Sequence, residues 1–366
     1  VIRSLVAEWR DGLVALSPRQ FPYGRFVLAL VVGGIGAAIF NHYRLPLPWM
    51  MGAMVLCMLA TLVRLPVAAP STVRPPMLAL IGVMLGSGFT PAVISSLPHW
   101  IPTMVGLFAF ILVCGVTCVA YFRKIAGLDM ATAYFSGMPG GLAEMIVLGE
   151  EKGADTRVIA LVQSARVFMI VMTLPFLVQW LSGVDLGDRS RGNGISLFDV
   201  TWSTPLWLGA TALAGALLAH ALRLPSKYLL GPMLVSALIH ATGMTDFALP
   251  WEVIAGAQLI MGCVIGCRFA GTPTAQILRI LGLSLGSTFI LLAVTIIFAM
   301  GISQVSDYGM IPLILAYSPG GLAEMSLIAL ALQVEVAFVA AHHIVRVFAV
   351  MLGARLLFRW IDRTSE

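Results

Sequence analysis

The sequence predicts an all-α polytopic membrane protein made of two homologous repeats, and three observations carry that prediction. Of 366 residues, 59% are hydrophobic and only 11% charged, against roughly 25% charged in a soluble domain. Apolar segments of about 18–27 residues follow one another from Arg25 to Trp360, about ten to twelve in all, each long enough to cross a ~30 Å hydrocarbon core. The heptapeptide PGGLAEM ends at Met145 and recurs ending at Met325, which sets Glu144 and Glu324 180 positions apart.

In chain order, residues 1–23 carry Arg3, Arg10 and Arg19 among apolar residues. They read as a short cytoplasmic amphipathic lead, since no small-residue cleavage site precedes the first span. The first repeat, 24–182, holds segments near 24–41, 46–63, 76–97, 99–121, 130–149 and 156–182. A polar linker follows at 183–203, GVDLGDRSRGNGISLFDVTWS, whose Gly, Ser and Asp content suits a solvated loop. The second repeat, 204–366, has segments near 204–222, 227–244, 251–270, 276–302, 309–333 and 335–358. The correspondence reaches beyond PGGLAEM. RLP with Gly52 and Met54 matches RLP with Gly231 and Met233; Gly82, Gly86 and Phe89 match Gly262, Gly266 and Phe269; Arg166 in ARVF matches Arg346 in VRVF. A register kept across both halves marks an internal duplication.

Six crossings per half would make the halves parallel; five crossings and one re-entrant segment would invert them. Lys and Arg cluster on the cytoplasmic side of membrane helices. Six crossings with a cytoplasmic N-terminus leave Lys152, Arg157, Arg223, Lys227, Arg268 and Arg279 outside. A re-entrant fifth segment in each half leaves outside only Arg44, Arg189 and Arg191. The inverted five-plus-five arrangement fits better and puts both termini in the cytoplasm.

Pro139-Gly140-Gly141 and Pro319-Gly320-Gly321 break the fifth segment of each half near its middle. Arms of about nine residues reach ~13 Å, close to half the hydrocarbon thickness. Gly permits the turn and Pro presents no unsatisfied N–H. Such backbone survives only in a protein interior or against a polar cavity. A discontinuous crossing helix would bring the same residues to the same depth. Beyond each break a helix starts, and its free N–H groups and positive dipole end favour an anion.

Glu144 and Glu324 sit in the first turn of these helices. Each either caps its own helix or pairs with an arginine, or it couples transport to sodium or protons. Arg166 and Arg346 lie too deep to snorkel. They need a carboxylate, backbone carbonyls or an anionic solute, which a guanidinium holds bidentately. Gln163 aligns with His343, a difference suited to recognition on one side and coupling on the other. His342 beside His343 could relay a proton or simply hydrogen-bond within its helix. Tyr134, Ser136, Tyr317 and Ser318 flank the breaks and offer hydroxyls to a solute or to broken backbone.

Several functions are disfavoured. The net charge of +5 is scattered over segment ends, with no basic stripe, so no nucleic-acid partner is expected. Cys57, Cys114, Cys118, Cys263 and Cys267 lie in apolar segments without accompanying histidines and read as small packing residues rather than metal ligands. GVMLGSGF (82–89) and GCVIGCRF (262–269) follow no strand, so they read as close helix contacts and not as nucleotide loops.

The duplicated PGGLAEM element, with RVF some 22 residues later, resembles the AbrB membrane-protein family, the membrane AbrB duplication group, over essentially the whole chain. That family is distinct from the small soluble DNA-binding protein of the same name. It has been labelled both an ammonia monooxygenase and a regulator of gene expression, and the resemblance implies no settled substrate. Oxygenase chemistry needs converging His and carboxylate ligands, and among six histidines only His342 and His343 are neighbours; no enzymatic activity and no resident cofactor are expected. The leading expectation is a secondary transporter of a small, anionic organic solute bound between the PGG tips. A passive channel and a membrane sensor acting indirectly on gene expression are the alternatives. The expected partners are the lipid bilayer and the solute; oligomeric state is open, a homodimer being one arrangement.

Overall fold

The computed structural model describes residues 10–363 apart from 13, 90, 184–194, 246 and 333. Arg3 of the N-terminal lead, and Arg189 and Arg191 of the linker, lie outside the described residues. Every regular element among those described is helical. In order they are α1 (Tyr23–His42), α2 (Pro48–Leu62), α3 (Arg74–Gly86), α4 (Pro91–Ser96), α5 (Ile101–Lys124), α6 (Met130–Gly137), α7 (Leu142–Glu150) and α8 (Thr156–Ser182). After the linker come α9 (Ser203–Ala221), α10 (Lys227–Ala241), α11 (Trp251–Gly266), α12 (Thr274–Ile302), α13 (Met310–Tyr317), α14 (Leu322–Ala331) and α15 (Val336–Arg363).

Among the described residues, 7 helices are long and apolar enough to cross a membrane: Tyr23–His42, Leu97–Lys124, Thr156–Ser182, Ser203–Ala221, Trp251–Phe269, Thr274–Ile302 and Val336–Ala354. The chain is a multi-pass membrane protein. Seven is fewer than the ten crossings expected, because several apolar segments are shorter as helices than as runs of sequence. The 46–63 segment yields only the 15 residues of α2, a rise of ~22 Å. The 76–97 segment is not one helix: α3 stops at Gly86, where Gly86, Ser87 and Gly88 end it, and α4 starts afresh at Pro91.

Helix starts follow local chemistry. α2 begins with Pro48, at a position where the missing N–H is no loss. The turn before it holds two non-glycine residues in left-handed backbone, Arg44 (φ 54) and Leu47 (φ 45); Arg64, past its end, is a third (φ 59). Around α10 the same three positions recur: Arg223 (φ 51), Ser226 (φ 44) and Gly243 (φ 69). Only the last has the residue that adopts this region without cost.

The chain forms two compact units, and neither is a contiguous half of the sequence. One contains α1–α4 and α9–α11; the other contains α5–α8, α12, α13 and most of α14 and α15. The segments 24–182 and 204–366 are therefore each divided between both units.

In the first unit, helices meet backbone to backbone through glycine. Gly36 and Gly52 face each other between α1 and α2, and Gly215 and Gly231 do so between α9 and α10. Gly82 and Gly86 of α3 lie on the carbonyls of Leu229 and Met233 in α10, while Gly262 and Gly266 of α11 lie on those of Met50 and Met54 in α2. A Cβ at any of these positions would collide with main chain, which is the small-residue packing the two glycine-rich stretches suggested. Cys57 and Cys263 both donate to the Ala29 carbonyl, at 3.4 and 3.3 Å, in an apolar cluster that includes Cys267. The second unit contains every residue singled out from the two PGGLAEM regions.

Candidate functional site

Both PGG breaks are real interruptions. α6 ends at Gly137, Met138 has extended backbone (φ −61, ψ 133), and α7 begins after Gly141 (φ −70, ψ 140). α13 ends at Tyr317, Ser318 is extended (φ −54, ψ 130), and α14 begins at Leu322. The first pair of arms folds back as a hairpin. Asp155, just past α7, donates its N–H to the Thr132 hydroxyl at 2.9 Å, near the start of α6. A straight crossing would hold those residues far apart. In the second pair, Tyr308 before α13 stacks on Phe338 beyond α14, with ring centroids 4.2 Å apart.

Caps fix the base of the first hairpin. Asp129 accepts the Thr132 N–H at 2.9 Å and caps α6, and Asp155 accepts from Arg157 and Val158, both at 3.0 Å, to start α8. Desolvation pushes the Asp129 carboxyl up, but its hydrogen bonds with Thr132 and with the backbone N–H groups of Asp129 and Ala131 together outweigh that and hold it below the usual carboxylate value.

The hairpins approach along α5 from opposite ends. The first starts beyond the C-terminal end of α5 and runs back, with Gly137 against Cys118 and Val119 and Met138 over Gly115. The second starts where the Trp100 indole donates to the Tyr308 hydroxyl at 2.7 Å, at the N-terminal end of α5. Tyr317 then donates its hydroxyl to the Thr103 carbonyl.

The tip carbonyls are held by the deep arginines. Arg166 donates from Nη1 to the Met138 carbonyl at 2.9 Å and from Nη2 to Gln163 Oε1. Arg346 donates from Nη1 to the Ser318 carbonyl at 2.5 Å and from Nη2 to the Gly320 carbonyl at 2.6 Å. Both are only 3% exposed. Neither has a carboxylate within 4.0 Å among the described residues. Of the three partners an arginine at this depth requires, carbonyls are the ones present. Each guanidinium still has its Nε buried with no acceptor. Each buried guanidinium thus serves a tip that packs along α5.

Gln163 and His343 do one mechanical job. Gln163 donates to the carbonyls of Phe135 (2.9 Å), Met138 (3.2 Å) and Ser136 (3.4 Å). His343 bonds the Leu315 carbonyl through Nε2 at 2.9 Å, 180 positions after Phe135. The asymmetry lies in what is left over, since His343 Nδ1 has no partner. His342 bonds the Phe338 carbonyl (2.8 Å) and the Thr103 hydroxyl (2.9 Å), not its neighbour. The tyrosine hydroxyls are also committed to backbone, Tyr134 to the Ala354 carbonyl at 3.1 Å and Tyr317 to that of Thr103. Ser136 and Ser318 differ: both hydroxyls are buried and unpartnered beside the tips.

Glu144 and Glu324 each fold back over the N-cap of their own helix. Their carboxylate oxygens lie where a Cβ on Gly141 or Gly321 would be. A carboxylate there is favoured by the helix dipole, so the anion position expected at the helix ends is already shared with the chain's own side chains. The free donors are instead the arginine Nε groups and the two serine hydroxyls.

Sequence reasoning passed over Ser284 and Thr288 on α12 and Ser326 on α14, whose hydroxyls are buried without partners in the same unit. The readable signal was two hydroxyls one turn apart in an apolar span, where Met104 and Phe108 stand 180 positions earlier.

Comparison with known proteins agrees with this reading of the motifs. The family described as "Transition state regulatory protein AbrB" matches residues 49–362. The chain belongs to the AbrB family. It is 28% identical over 345 residues to "Uncharacterized protein YhjN" of Bacillus subtilis (strain 168), covering 88% of this chain and 89% of that one. It is 24% identical over 328 residues to "Putative regulator AbrB" of Escherichia coli (strain K12), covering 88% of this chain and 92% of the relative.

Proposed function

We propose that this AbrB-family protein is a secondary transporter of a small anionic organic solute, bound in the second unit at the two PGG tips. One observation carries the reading: two buried guanidinium groups, neither facing a carboxylate, each hydrogen-bonded to a tip carbonyl and keeping an unpartnered Nε, with a buried, unpartnered serine hydroxyl next to each tip in the chain. Two buried positive charges without a counter-charge carry a large desolvation penalty, and a solute carboxylate or sulfonate offsets it by accepting from the arginines. The bonds to the tip carbonyls hold the guanidiniums in place before the solute arrives.

Inverted five-plus-five repeats suit this role. Hairpins that enter from opposite ends of α5, left-handed turns that recur around α2 and α10, and units drawn from both halves all support that topology, in which the solute site lies at mid-depth. Glu144 and Glu324, over the helix ends beside the tips, are the groups we assign to sodium or proton coupling. We place the protein in the bacterial inner membrane with both termini cytoplasmic and assign it no enzymatic step. A regulatory role, suggested by the family description and by the name of the Escherichia coli relative, follows if the transported solute is itself a signal.

The test is thermal stability of the purified protein against a panel of small carboxylates and sulfonates, with and without sodium and at several pH values. A solute at 100 times its Kd adds ~2.7 kcal/mol of stability. The expected result is a shift in wild type that Arg166→Lys and Arg346→Lys both lose. If no anion shifts wild type under any condition while both variants melt far lower, the arginines only brace the hairpins and the transport site is wrong.

A further inference from the structure

An apolar groove of about 950 Å³ runs along the side of the second unit, between α5, the first arm of the hairpin and α15. Its walls include Leu112, Val116, Met138 and Leu352, and it ends at Arg123 in the last turn of α5. Val116 and Leu352 are 63% and 67% exposed, so the groove opens sideways to lipid rather than into the protein. From Phe108 to Arg123, both lining residues, α5 rises ~22 Å, more than the ~15 Å depth of one leaflet.

We propose that this groove holds one anionic phospholipid, with an acyl chain along α5 and the headgroup phosphate on Arg123. Basic residues at the ends of membrane helices attract anionic headgroups, and basic pockets between helices bind them specifically. Arg123 is exposed and has no carboxylate within 4.0 Å among the described residues. The nearby Asp129 carboxylate is committed to capping α6. Gly115, Ala349 and Gly353 keep the trough clear of side chains. Met130, Tyr134 and Met138 of the first hairpin arm back the groove. This inference is independent of what the tips carry.

The experiment is native mass spectrometry of the full chain, titrated with phosphatidylglycerol and with phosphatidylcholine of the same acyl chains. Wild type is expected to retain one phosphatidylglycerol in preference to phosphatidylcholine. Arg123→Gln should weaken phosphatidylglycerol about fivefold and leave phosphatidylcholine unchanged. Val116→Trp, at a largely exposed position that tolerates bulk, should displace both lipids. Lys124→Gln, adjacent and basic but outside the groove, should do neither. Equal losses for Lys124→Gln and Arg123→Gln would mean diffuse surface attraction and overturn the site, as would undiminished binding to Val116→Trp.

Discussion

Replacing Arg346 by methionine removes both donors that hold the second tip, Nη1 at 2.5 Å from the Ser318 carbonyl and Nη2 at 2.6 Å from the Gly320 carbonyl. A buried carbonyl left without a donor costs ~1–3 kcal/mol, so two cost about 2–6 kcal/mol. Loss of a buried guanidinium also relieves a desolvation penalty of several kcal/mol, which makes the absolute change a poor test. Arg166→Met supplies the reference, because Arg166 is equally buried and gives the same relief. Its Met138 carbonyl keeps the Gln163 amide at 3.2 Å, and only Gln163 Oε1 is orphaned. The variants therefore differ by one orphaned carbonyl, and Arg346→Met should be the less stable by ~1–3 kcal/mol. Equilibrium unfolding in mixed micelles measures this difference directly. If the two agree within about 0.5 kcal/mol, the scatter of unrelated substitutions, or if Arg166→Met is the weaker protein, the arginines are not bracing the tips as described.

Other expectations concern separate parts of the chain. Gly82→Ala and Gly262→Ala push a methyl into the carbonyls of Leu229 and Met50, and each should lower stability by ~1–3 kcal/mol, read as a fall in melting temperature. Asp129→Ala removes the α6 cap and should cost ~1 kcal/mol near neutral pH. The folded carboxyl sits below its ordinary value of 3.8, so its contribution is complete above that pH and fades as the pH drops through the lowered value; the gap between wild type and variant should close in acid. Thr132→Val deprives the Asp155 N–H of its acceptor and should speed hydrogen exchange at the hairpin base, with a stability loss of ~1 kcal/mol. Glu324→Gln should leave anion-induced stabilisation in place but remove its dependence on sodium or pH; an unchanged dependence would take coupling away from this carboxylate.

The breaks in the fold were legible because Pro followed directly by Gly-Gly sets three poor helix formers in a row, whereas Pro175, Pro232 and the Gly33-Gly34 pair are each carried inside a helix; both interruptions fall where PGG predicts them. Arg166 and Arg346 were legible as sites of need, since a charge in an apolar span must be compensated. What compensates them was not. Backbone carbonyls carry no signature in the sequence, so the tips could not be told from a glutamate or a solute. The pairing of Gln163 with His343 suggested different tasks, but an amide and an imidazole each present an N–H to the same carbonyl position. The 76–97 segment misled because apolar content does not register that Gly86-Ser87-Gly88 ends a helix. The two compact units were invisible for a different reason: helical periodicity reports which face is apolar, not which distant helix will cover it.

Interleaving the halves also constrains the order of synthesis. The first hairpin is complete at Glu150, but α12 of the same unit begins only at Thr274. At ~5–20 residues per second, the ribosome leaves that hairpin waiting on the order of ten seconds without its later neighbours. Its tip does not wait for its braces, because Gln163 and Arg166 lie within 28 residues of the carbonyls they hold, as do His343 and Arg346 in the second half. Each half is thus equipped to insert with its broken backbone already bonded, and only the packing between helices is deferred. A gene cut within the linker should then yield two polypeptides that find each other in the membrane and restore the whole protein.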